Sequence, residues 1–316
     1  MDETLREIIQ KYFPTRLQQA IWESAKKVAS KTHQLEEIRL RLTKPAMLVF
    51  PQEDVLVNHT VHKQDIQKLI SLISENSVYS YQNDLNNGFI TVAGGHRVGI
   101  LGRTYIKKNE IRAIRDISSV NFRISREING SASELVSRLF DKLRKPIKNT
   151  ILVGPPACGK TTMLRDLTRI ISSGNYNIPP HKVTVIDERS ELSGVVKGVP
   201  QRDIGLRTDV LDGCPKSQGI ILALRSMSPE VIVTDEIGSE QDIVAITEAM
   251  NAGVKIIASA HGNDINSLLY RQGVSLLVRT KSVERFVLLS RNKGPGTIEH
   301  IQKGTNNDIP KISVNY

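Results

Sequence analysis

The stretch "ILVGPPACGKTTMLRDL", residues 151–167, decides how the second half of this sequence can fold. Three apolar residues lead into Gly154, and after four further residues the chain continues with Gly159, Lys160 and Thr161. This spacing matches the G-x-x-x-x-G-K-[ST] loop, in which glycines let backbone N–H groups surround phosphate oxygens. An apolar strand pattern precedes the loop and a helical pattern follows it. The sequence therefore predicts a phosphate-binding loop between a strand and a helix.

The residues of this loop are predicted to bind ATP and Mg²⁺. Lys160 is expected to reach the β- and γ-phosphates, and the Thr161 hydroxyl is expected to bind Mg²⁺. Cys158 is interpreted as a small residue that fits the loop without a redox role. The predicted nucleotide-binding residues are Gly154, Pro155, Pro156, Ala157, Cys158, Gly159, Lys160, Thr161 and Thr162.

From about residue 149 the strand and helix patterns alternate. Strand patterns lie at 150–154, 182–187, 230–235 and 254–260, and helical patterns lie at 159–173, 216–228, 239–252 and 263–271. Such alternation is typical of a parallel sheet covered by helices. We therefore predict an α/β fold, a RecA-like P-loop ATPase domain with a mainly parallel sheet, to which "ERFVLLSR" (284–291) adds edge structure.

The first half of the chain shows a different pattern. Helical patterns lie at 3–13, 16–31, 64–80 and 133–145, and strand patterns lie at 35–50 and 88–106. These patterns predict a smaller α+β domain over residues 1–146, followed by the P-loop domain over residues 147–316, with a linker at Pro146.

Two acidic pairs follow the phosphate loop, and each ends a predicted buried strand: "VTVID" leads into Asp187 and Glu188, and "VIVTD" into Asp235 and Glu236. In P-loop proteins with a catalytic glutamate, one extra strand lies in sequence between the P-loop strand and the strand that carries the Mg²⁺-linked aspartate. The second pair fits this order. Asp235 is therefore predicted to hold Mg²⁺, and Glu236 to polarise the attacking water.

The first acidic pair and a histidine are expected at the same edge of the sheet, because parallel strands end on one side. Two interpretations of Asp187 and Glu188 stay open. In the first, these carboxylates hold a water molecule or position an arginine near the γ-phosphate. In the second, they cap a loop through a salt bridge with Arg189 or Arg202. His261 ends the next apolar strand and is predicted to sense the γ-phosphate.

Composition limits the classes of protein to consider. The chain has 316 residues, 39% hydrophobic and 24% charged, which is ordinary for globular domains and enough for two. No apolar run approaches the ~20 residues that span a bilayer, and the first residues do not read as a signal peptide. Two cysteines fit a reducing compartment. We therefore expect a cytoplasmic protein without direct membrane insertion.

The formal net charge of +10 is unevenly distributed. Residues 1–149 contain 24 lysines and arginines against 16 acidic residues, whereas residues 150–316 contain 19 against 17. The basic surface therefore belongs to the front half. Nucleic acid, anionic lipid or a nucleotide held by a neighbouring subunit would each suit it, and so would a solvated surface with no partner.

Residues 150–271 resemble the secretion and type IV pilus ATPases. Those proteins carry a Walker A motif, an acidic box, a Walker B motif and a histidine box, which here correspond to "GPPACGKTT", "VIDERSE", "VIVTDEIGS" and "IIASAHGND". The resemblance implies that Glu188 and Glu191 belong to the acidic box and that Glu188 contributes to catalysis. The pilus motors carry a longer tail after the histidine box, so their substrate-moving elements cannot be transferred to this chain.

The front half narrows this resemblance. With "EEIRLRLTKPAMLV" and "GGHRVGILGRT" it is similar to the bacterial stage III sporulation protein AA family. The resemblance implies a cytosolic ATPase that forms a homo-hexameric ring. It also implies a peripheral position at a membrane complex, where ATP hydrolysis drives assembly or secretion through channel proteins during sporulation.

Two other functions were weighed. A RecA-like nucleic-acid-dependent ATPase would use the basic front half, but residues 97–126 offer only Tyr105 and Phe122 as aromatic stacking groups. Contact with phosphates alone stays open. A small-substrate kinase fits poorly, because Glu236 suits activation of water.

The arginine-rich segment 97–126 suggests a contact between subunits. Ring ATPases can supply an arginine to the γ-phosphate of a neighbour, and beyond Lys160 and Mg²⁺ the sequence shows no obvious cation for this task. Arg112, Arg115 and Arg123 are the candidates, and Arg123 is the predicted catalytic one. The alternative is a solvated face of the sheet.

Overall fold

The computed structural model describes residues 3–75, 88–107, 110–140, 146–176, 178–269, 272–279 and 281–304. The C-terminal ends of three predicted helices, at 76–80, 141–145 and 270–271, lie outside these residues, as does the basic tail after Gly304.

The chain divides into two compact units, Met1–Arg126 and Glu127–Tyr316. The boundary therefore lies earlier than the linker predicted at Pro146. The reason is that the segment after the boundary packs into the core of the second unit. Four of its side chains are buried in the same cluster as Leu152 of the P-loop strand: Ala132, Leu135, Val136 and Leu139.

The first unit contains one antiparallel six-stranded sheet in the order β3-β2-β1-β6-β5-β4. Its strands are β1 Glu37–Arg41, β2 Pro45–Val49, β3 Asp54–Thr60, β4 Phe89–Val92, β5 His96–Lys107 and β6 Glu110–Arg123. Its helices are α1 Glu3–Tyr12, α2 Thr15–Lys26 and α3 Lys63–Ile73, with a 3₁₀ helix at Ala29–Gln34. The alternation that predicts β1 is confirmed, because Ile38 and Leu40 are fully buried.

The arginine-rich segment forms the two longest strands of this sheet. Residues 96–99 of β5 pair with β4 and residues 119–123 of β6 pair with β1. The described residues between them form a ribbon in which β5 and β6 pair with each other. A Cβ on Gly102 would lie 2.5 Å from the backbone oxygen of Arg115, so the shift of register beside Gly102 requires a glycine.

The second unit contains a seven-stranded sheet in the order β13-β12-β7-β11-β10-β8-β9. Its strands are β7 Thr150–Gly154, β8 Val183–Asp187, β9 Thr208–Asp212, β10 Val231–Thr234, β11 Lys255–His261, β12 Arg285–Ser290 and β13 Thr297–Lys303. Its helices are α4 Ser133–Leu139, α5 Lys160–Ser173, α6 Lys216–Ser226, α7 Glu240–Asn251, α8 Ile265–Leu269 and α9 Gln272–Arg279.

This sheet is parallel except at β13, which pairs antiparallel with β12. The predicted α/β class is confirmed. Strands β7, β8 and β10 are buried along their whole length, as parallel strands covered on both faces must be. The sequence patterns do not predict β9, because it is a short edge strand that is only partly buried.

No helix within the described part of the chain is both long enough and apolar enough to cross a bilayer.

Candidate nucleotide-binding site

Close packing explains the glycines of the phosphate loop. A Cβ on Gly154 would lie 2.5 Å from the Cys158 sulfur and 2.8 Å from the backbone oxygen of Leu289. Gly159 has φ +93°, and a Cβ there would lie 2.8 Å from the backbone nitrogen of Gly296. The Gly296 N–H also donates to the Cys158 carbonyl over 2.7 Å. The hairpin between β12 and β13 therefore supports the loop from behind, and Cys158 is a buried packing residue of the loop.

Between these packed residues the loop presents its backbone to solvent. Pro156 and Ala157 are exposed, and Ala157 has a positive φ of 57°. Thr162 follows within α5 and is half-buried. Because α5 begins at Lys160, its N-terminal N–H groups and the positive end of its dipole lie at the loop, where a phosphate is stabilised.

Lys160 is 5% exposed and is held by acceptors of the protein. Its Nζ donates to the carbonyls of Gly154 and Pro155 over 2.9 and 2.8 Å. It also lies 3.3 Å from Nδ1 of His261. An ammonium group can only donate, so Nδ1 must accept and the proton of a neutral imidazole must lie on Nε2. His261 can therefore donate from Nε2 to a carboxylate.

The structure brings Thr161 and Asp235 together, although β11 lies between β7, which leads to Thr161, and β10, which leads to Asp235. The Thr161 hydroxyl donates to Oδ2 of Asp235 over 2.6 Å, and the Ser259 hydroxyl donates to Oδ1 of the same carboxylate. A hydroxyl and a carboxylate are hard oxygen ligands of the kind Mg²⁺ takes together with phosphate oxygens and water. The donor set therefore fits Mg²⁺.

Glu236 is held by two donors. His261 Nε2 lies 2.8 Å from Oε1, and Arg189 Nη1 donates to Oε2 over 2.7 Å. The backbone of Glu236 has a positive φ of 51°, and its N–H donates to Asp235 Oδ1 and to Ser259 Oγ, each over 2.9 Å. These two bonds hold a strained backbone that directs the carboxylate toward the loop of Arg189.

Contacts run without a break from the phosphate loop to this loop. Lys160 contacts His261, His261 contacts Glu236, and Glu236 contacts Arg189. We call these four side chains the polar relay. Its members come from different elements: the start of α5, the ends of β10 and β11, and the loop after β8. The predicted residues His261 and Glu236 are thus brought together with an arginine that the sequence analysis had considered only as a salt-bridge partner of the first acidic pair.

Asp187 caps a loop, but not through an arginine. Its carboxylate is 2% exposed and accepts backbone N–H groups of Glu191, Leu192 and Ser193 over 2.8, 3.1 and 2.8 Å. The Ser193 hydroxyl adds a bond of 2.6 Å. Asp187 is thus held by loop donors where one of the two interpretations had a salt bridge with Arg189 or Arg202, and Arg189 binds Glu236. Asp187 fixes the backbone that presents Arg189.

A buried arginine supports the same loop from the other side. Arg165 of α5 donates to the carbonyls of Leu192 and Glu191, each over 2.6 Å. Burial lowers the pKa of the Arg165 guanidinium, and the negative charge of Asp187 opposes this shift. The loop is therefore tied to α5, the helix that begins at the phosphate loop.

We expect Asp187→Asn to lower the free energy of unfolding of the second unit by about 2–4 kcal/mol. The substitution keeps the shape but removes the charge and turns one acceptor oxygen into a donor that faces loop N–H groups. Urea unfolding monitored by circular dichroism measures the loss. Asp209→Asn is the matched control, because Asp209 is exposed on β9 and its loss should cost at most about 0.5 kcal/mol. Equal stability of the two variants would contradict the capping role.

Glu188 forms an ion pair with Lys216 at the start of α6, and the Lys216 side chain is 7% exposed. A shallow, open cleft lies beside this pair. Its lining consists of Asp187, Glu188, Arg189, Glu191, Lys216, Asp235 and Glu236. The predicted acidic box and the predicted catalytic pair therefore face one cleft. Lys216 was missed, since nothing in its local sequence distinguishes it from a solvated lysine.

The candidate arginines of the first unit have local partners. Arg123 Nε lies 3.7 Å from the Glu37 carboxylate on the neighbouring strand, with 60% of the Arg123 side chain exposed. The Arg115 guanidinium lies 5.7 Å from the centre of the Tyr105 ring. Arg112 also lies on β6, on the ribbon that this strand forms with β5. A contact of any of them with a neighbouring subunit stays a prediction.

Comparison with known proteins bears on the whole chain. Residues 4–308 match the profile of the protein family described as sporulation stage III, protein AA. Stage III sporulation protein AA of Bacillus subtilis (strain 168) is 40% identical over 280 residues, which cover 89% of this chain and 90% of that protein.

Solved structures show the same fold at low sequence identity. The ATPase DotB of Yersinia pseudotuberculosis has a TM-score of 0.56 at 14% identity, covering 88% of this chain and 76% of that one. The pilus retraction motor PilT, solved with bound ADP, has a TM-score of 0.56 at 15% identity, covering 83% and 76%.

Proposed function

The chain belongs to the family of sporulation stage III protein AA, and from this membership and the geometry of the cleft we propose that it is a P-loop ATPase. The observation that carries the proposal is the meeting of Thr161 with Asp235, only 2.6 Å apart, beside Glu236 and the phosphate loop. The fold shared with DotB and PilT, an ATPase and a motor that binds ADP, supports it.

In the proposed reaction a water oxygen forms a bond to the γ-phosphorus while the bond from this phosphorus to the β–γ bridging oxygen breaks. The bond electrons leave with ADP, and the proton of the water passes to solvent past the Glu236 carboxylate. Glu236 orients the water and accepts its hydrogen bond. Lys160 and the N–H groups of the loop bind the phosphates. Mg²⁺, held through Thr161 and Asp235, would neutralise the charge that develops on the phosphate oxygens.

His261 suits a sensor of the γ-phosphate because it contacts both Lys160 and Glu236. When phosphate oxygens become the acceptors of Lys160, the Nδ1 atom of His261 loses its donor, so the contact between His261 and Lys160 responds to the presence of the phosphate. Glu188 lines the same cleft, where it forms an ion pair with Lys216.

At the level of the cell, we infer a cytoplasmic ring with a RecA-like core, a homo-hexamer at the periphery of a membrane complex. Its ATP hydrolysis would drive assembly or secretion through channel proteins during sporulation. Family membership and the fold shared with the ATPase DotB and the pilus retraction motor PilT support this role. Arg123 is the candidate for a contact with the nucleotide of a neighbouring subunit.

The second candidate is a nucleic-acid-dependent ATPase, favoured by the basic balance of residues 1–149. We expect phosphate release from Mg²⁺-ATP by the purified chain to be the same with and without duplex or single-stranded DNA. The measurement is repeated from 50 to 300 mM salt, because binding to DNA phosphates weakens steeply with salt. Stimulation by DNA that disappears at high salt would favour the alternative. Absence of phosphate release under every condition would contradict both.

A further inference from the structure

We propose that Arg189 exchanges partners during the ATPase cycle: it leaves Glu236, which it contacts in the structure, and binds the γ-phosphate of ATP in the same subunit. Arg189 then acts as a catalytic residue, and its departure frees an oxygen of Glu236 for the attacking water. The inference rests on the proposed ATP hydrolysis and assigns one more residue to it.

Arg189 lies beside the residue that is proposed to activate water. Arg189 Nη1 lies 2.7 Å from Oε2 of Glu236, and both residues line the cleft that Asp235 also lines. A glutamate that activates water must lie within one water molecule of the γ-phosphate. A guanidinium on the same carboxylate therefore starts close to that phosphate, within the swing of a long side chain.

Of the cations in the cleft, Arg189 can leave its partner more easily than Lys216. Of the seven residues that line the cleft, two are cations. Lys216 is 7% exposed and paired with Glu188, whereas the Arg189 side chain is 60% exposed. A pair this exposed contributes at most about 1 kcal/mol, so Arg189 can leave Glu236 at little cost. Phosphate oxygens offer a guanidinium two parallel charge-assisted bonds. The dianionic γ-phosphate is therefore the stronger partner.

Hydrogen bonds fix the backbone that carries Arg189, whereas its exposed side chain can change its partner. Asp187 binds the N–H groups of residues 191–193, and the Ser190 hydroxyl donates to Asp212 over 2.5 Å. Because this backbone is already fixed, the chain need not reorganise when the guanidinium changes its partner. Asp187, the first residue of the first acidic pair, thus stabilises the loop that places Arg189 at the cleft.

The two ends of the polar relay are alike, because each is a cation bonded to oxygen atoms of the protein. Lys160 at one end and Arg189 at the other both donate to acceptors of the protein. An incoming triphosphate supplies better acceptors to both ends. The two inner members, His261 and Glu236, are then released together. In this proposal a subunit holds two cations for the phosphates, Lys160 and Arg189.

The test compares Arg189→Ala with Arg189→Lys and with the control Arg225→Ala, an exposed position on α6. We expect kcat of Arg189→Ala to fall at least about 10²-fold, because an arginine on the γ-phosphate contributes 10³–10⁵-fold in related chemistry. Arg189→Lys should recover part of the loss, and Arg225→Ala should match the wild-type chain.

A binding measurement separates this role from a structural one. The Kd for Mg²⁺-ADP should stay within about threefold in Arg189→Ala, whereas the Kd for Mg²⁺-ADP with aluminium fluoride should rise at least about tenfold, because only the latter resembles the phosphoryl group in transfer. Unchanged or raised kcat in Arg189→Ala, or equal weakening for both ligands, would overturn the proposal. A wild-type chain that binds ATP without hydrolysing it would instead contradict the proposed function, so the two failures are distinguishable.

Discussion

Glu236→Gln is expected to bind ATP normally and to hydrolyse it at least about 10²-fold more slowly than the wild-type chain. The amide keeps the size of the side chain and can still contact His261 and Arg189, but it loses the negative charge that orients and polarises water. Because Glu236 does not hold the phosphates in the proposed site, the Kd for ATP should change little. Phosphate release measures kcat, and titration calorimetry with a non-hydrolysable ATP analogue measures the Kd.

The control for this prediction is Glu248→Gln. Glu248 is exposed on α7 and is not among the residues that line the cleft, so its substitution should leave kcat unchanged. Hydrolysis by Glu236→Gln at the wild-type rate would show that another group activates the water. A matched fall in ATP affinity and kcat would show that Glu236 acts in binding.

Lys160→Ala is expected to weaken ATP binding at least about 10²-fold. Two charge-assisted bonds to phosphates at about 1.5–3 kcal/mol each are lost, and each 1.4 kcal/mol corresponds to a factor of ten. The variant also removes the donor that the carbonyls of Gly154 and Pro155 and Nδ1 of His261 share. Hydrolysis should fall with binding, in contrast to Glu236→Gln, where binding is retained.

Lys182→Ala is the matched control for this variant, because Lys182 is exposed just before β8. Thermal unfolding of both variants checks that a lost affinity does not reflect a lost fold. Near-normal ATP affinity in Lys160→Ala would contradict the assignment of residues 154–161 as the phosphate loop. Equal loss of binding in Lys160→Ala and Glu236→Gln would contradict the division of roles between the two residues.

The sequence alone determined the parts of this protein that depend on neighbours along the chain. The loop at 154–161 is readable because its glycines and lysine follow a fixed spacing. Strands β8 and β10 are readable because strands buried on both faces form continuous apolar runs. The pairing of Thr161 with Asp235 was predictable because parallel strands bring their carboxyl ends, and the loops that follow them, to one edge of the sheet.

The tertiary structure alone decided what depends on residues far apart in sequence. Arg189 is 47 residues from Glu236, and Lys216 is 28 residues from Glu188, so no local pattern distinguishes these cations from solvated ones. The boundary near residue 126 depends on which core the side chains of α4 enter. Likewise, Asp187 is a loop cap because its buried carboxylate meets loop N–H groups before any arginine. The competition among donors for one buried carboxylate is settled by three-dimensional distance and desolvation, which the order of residues does not encode locally.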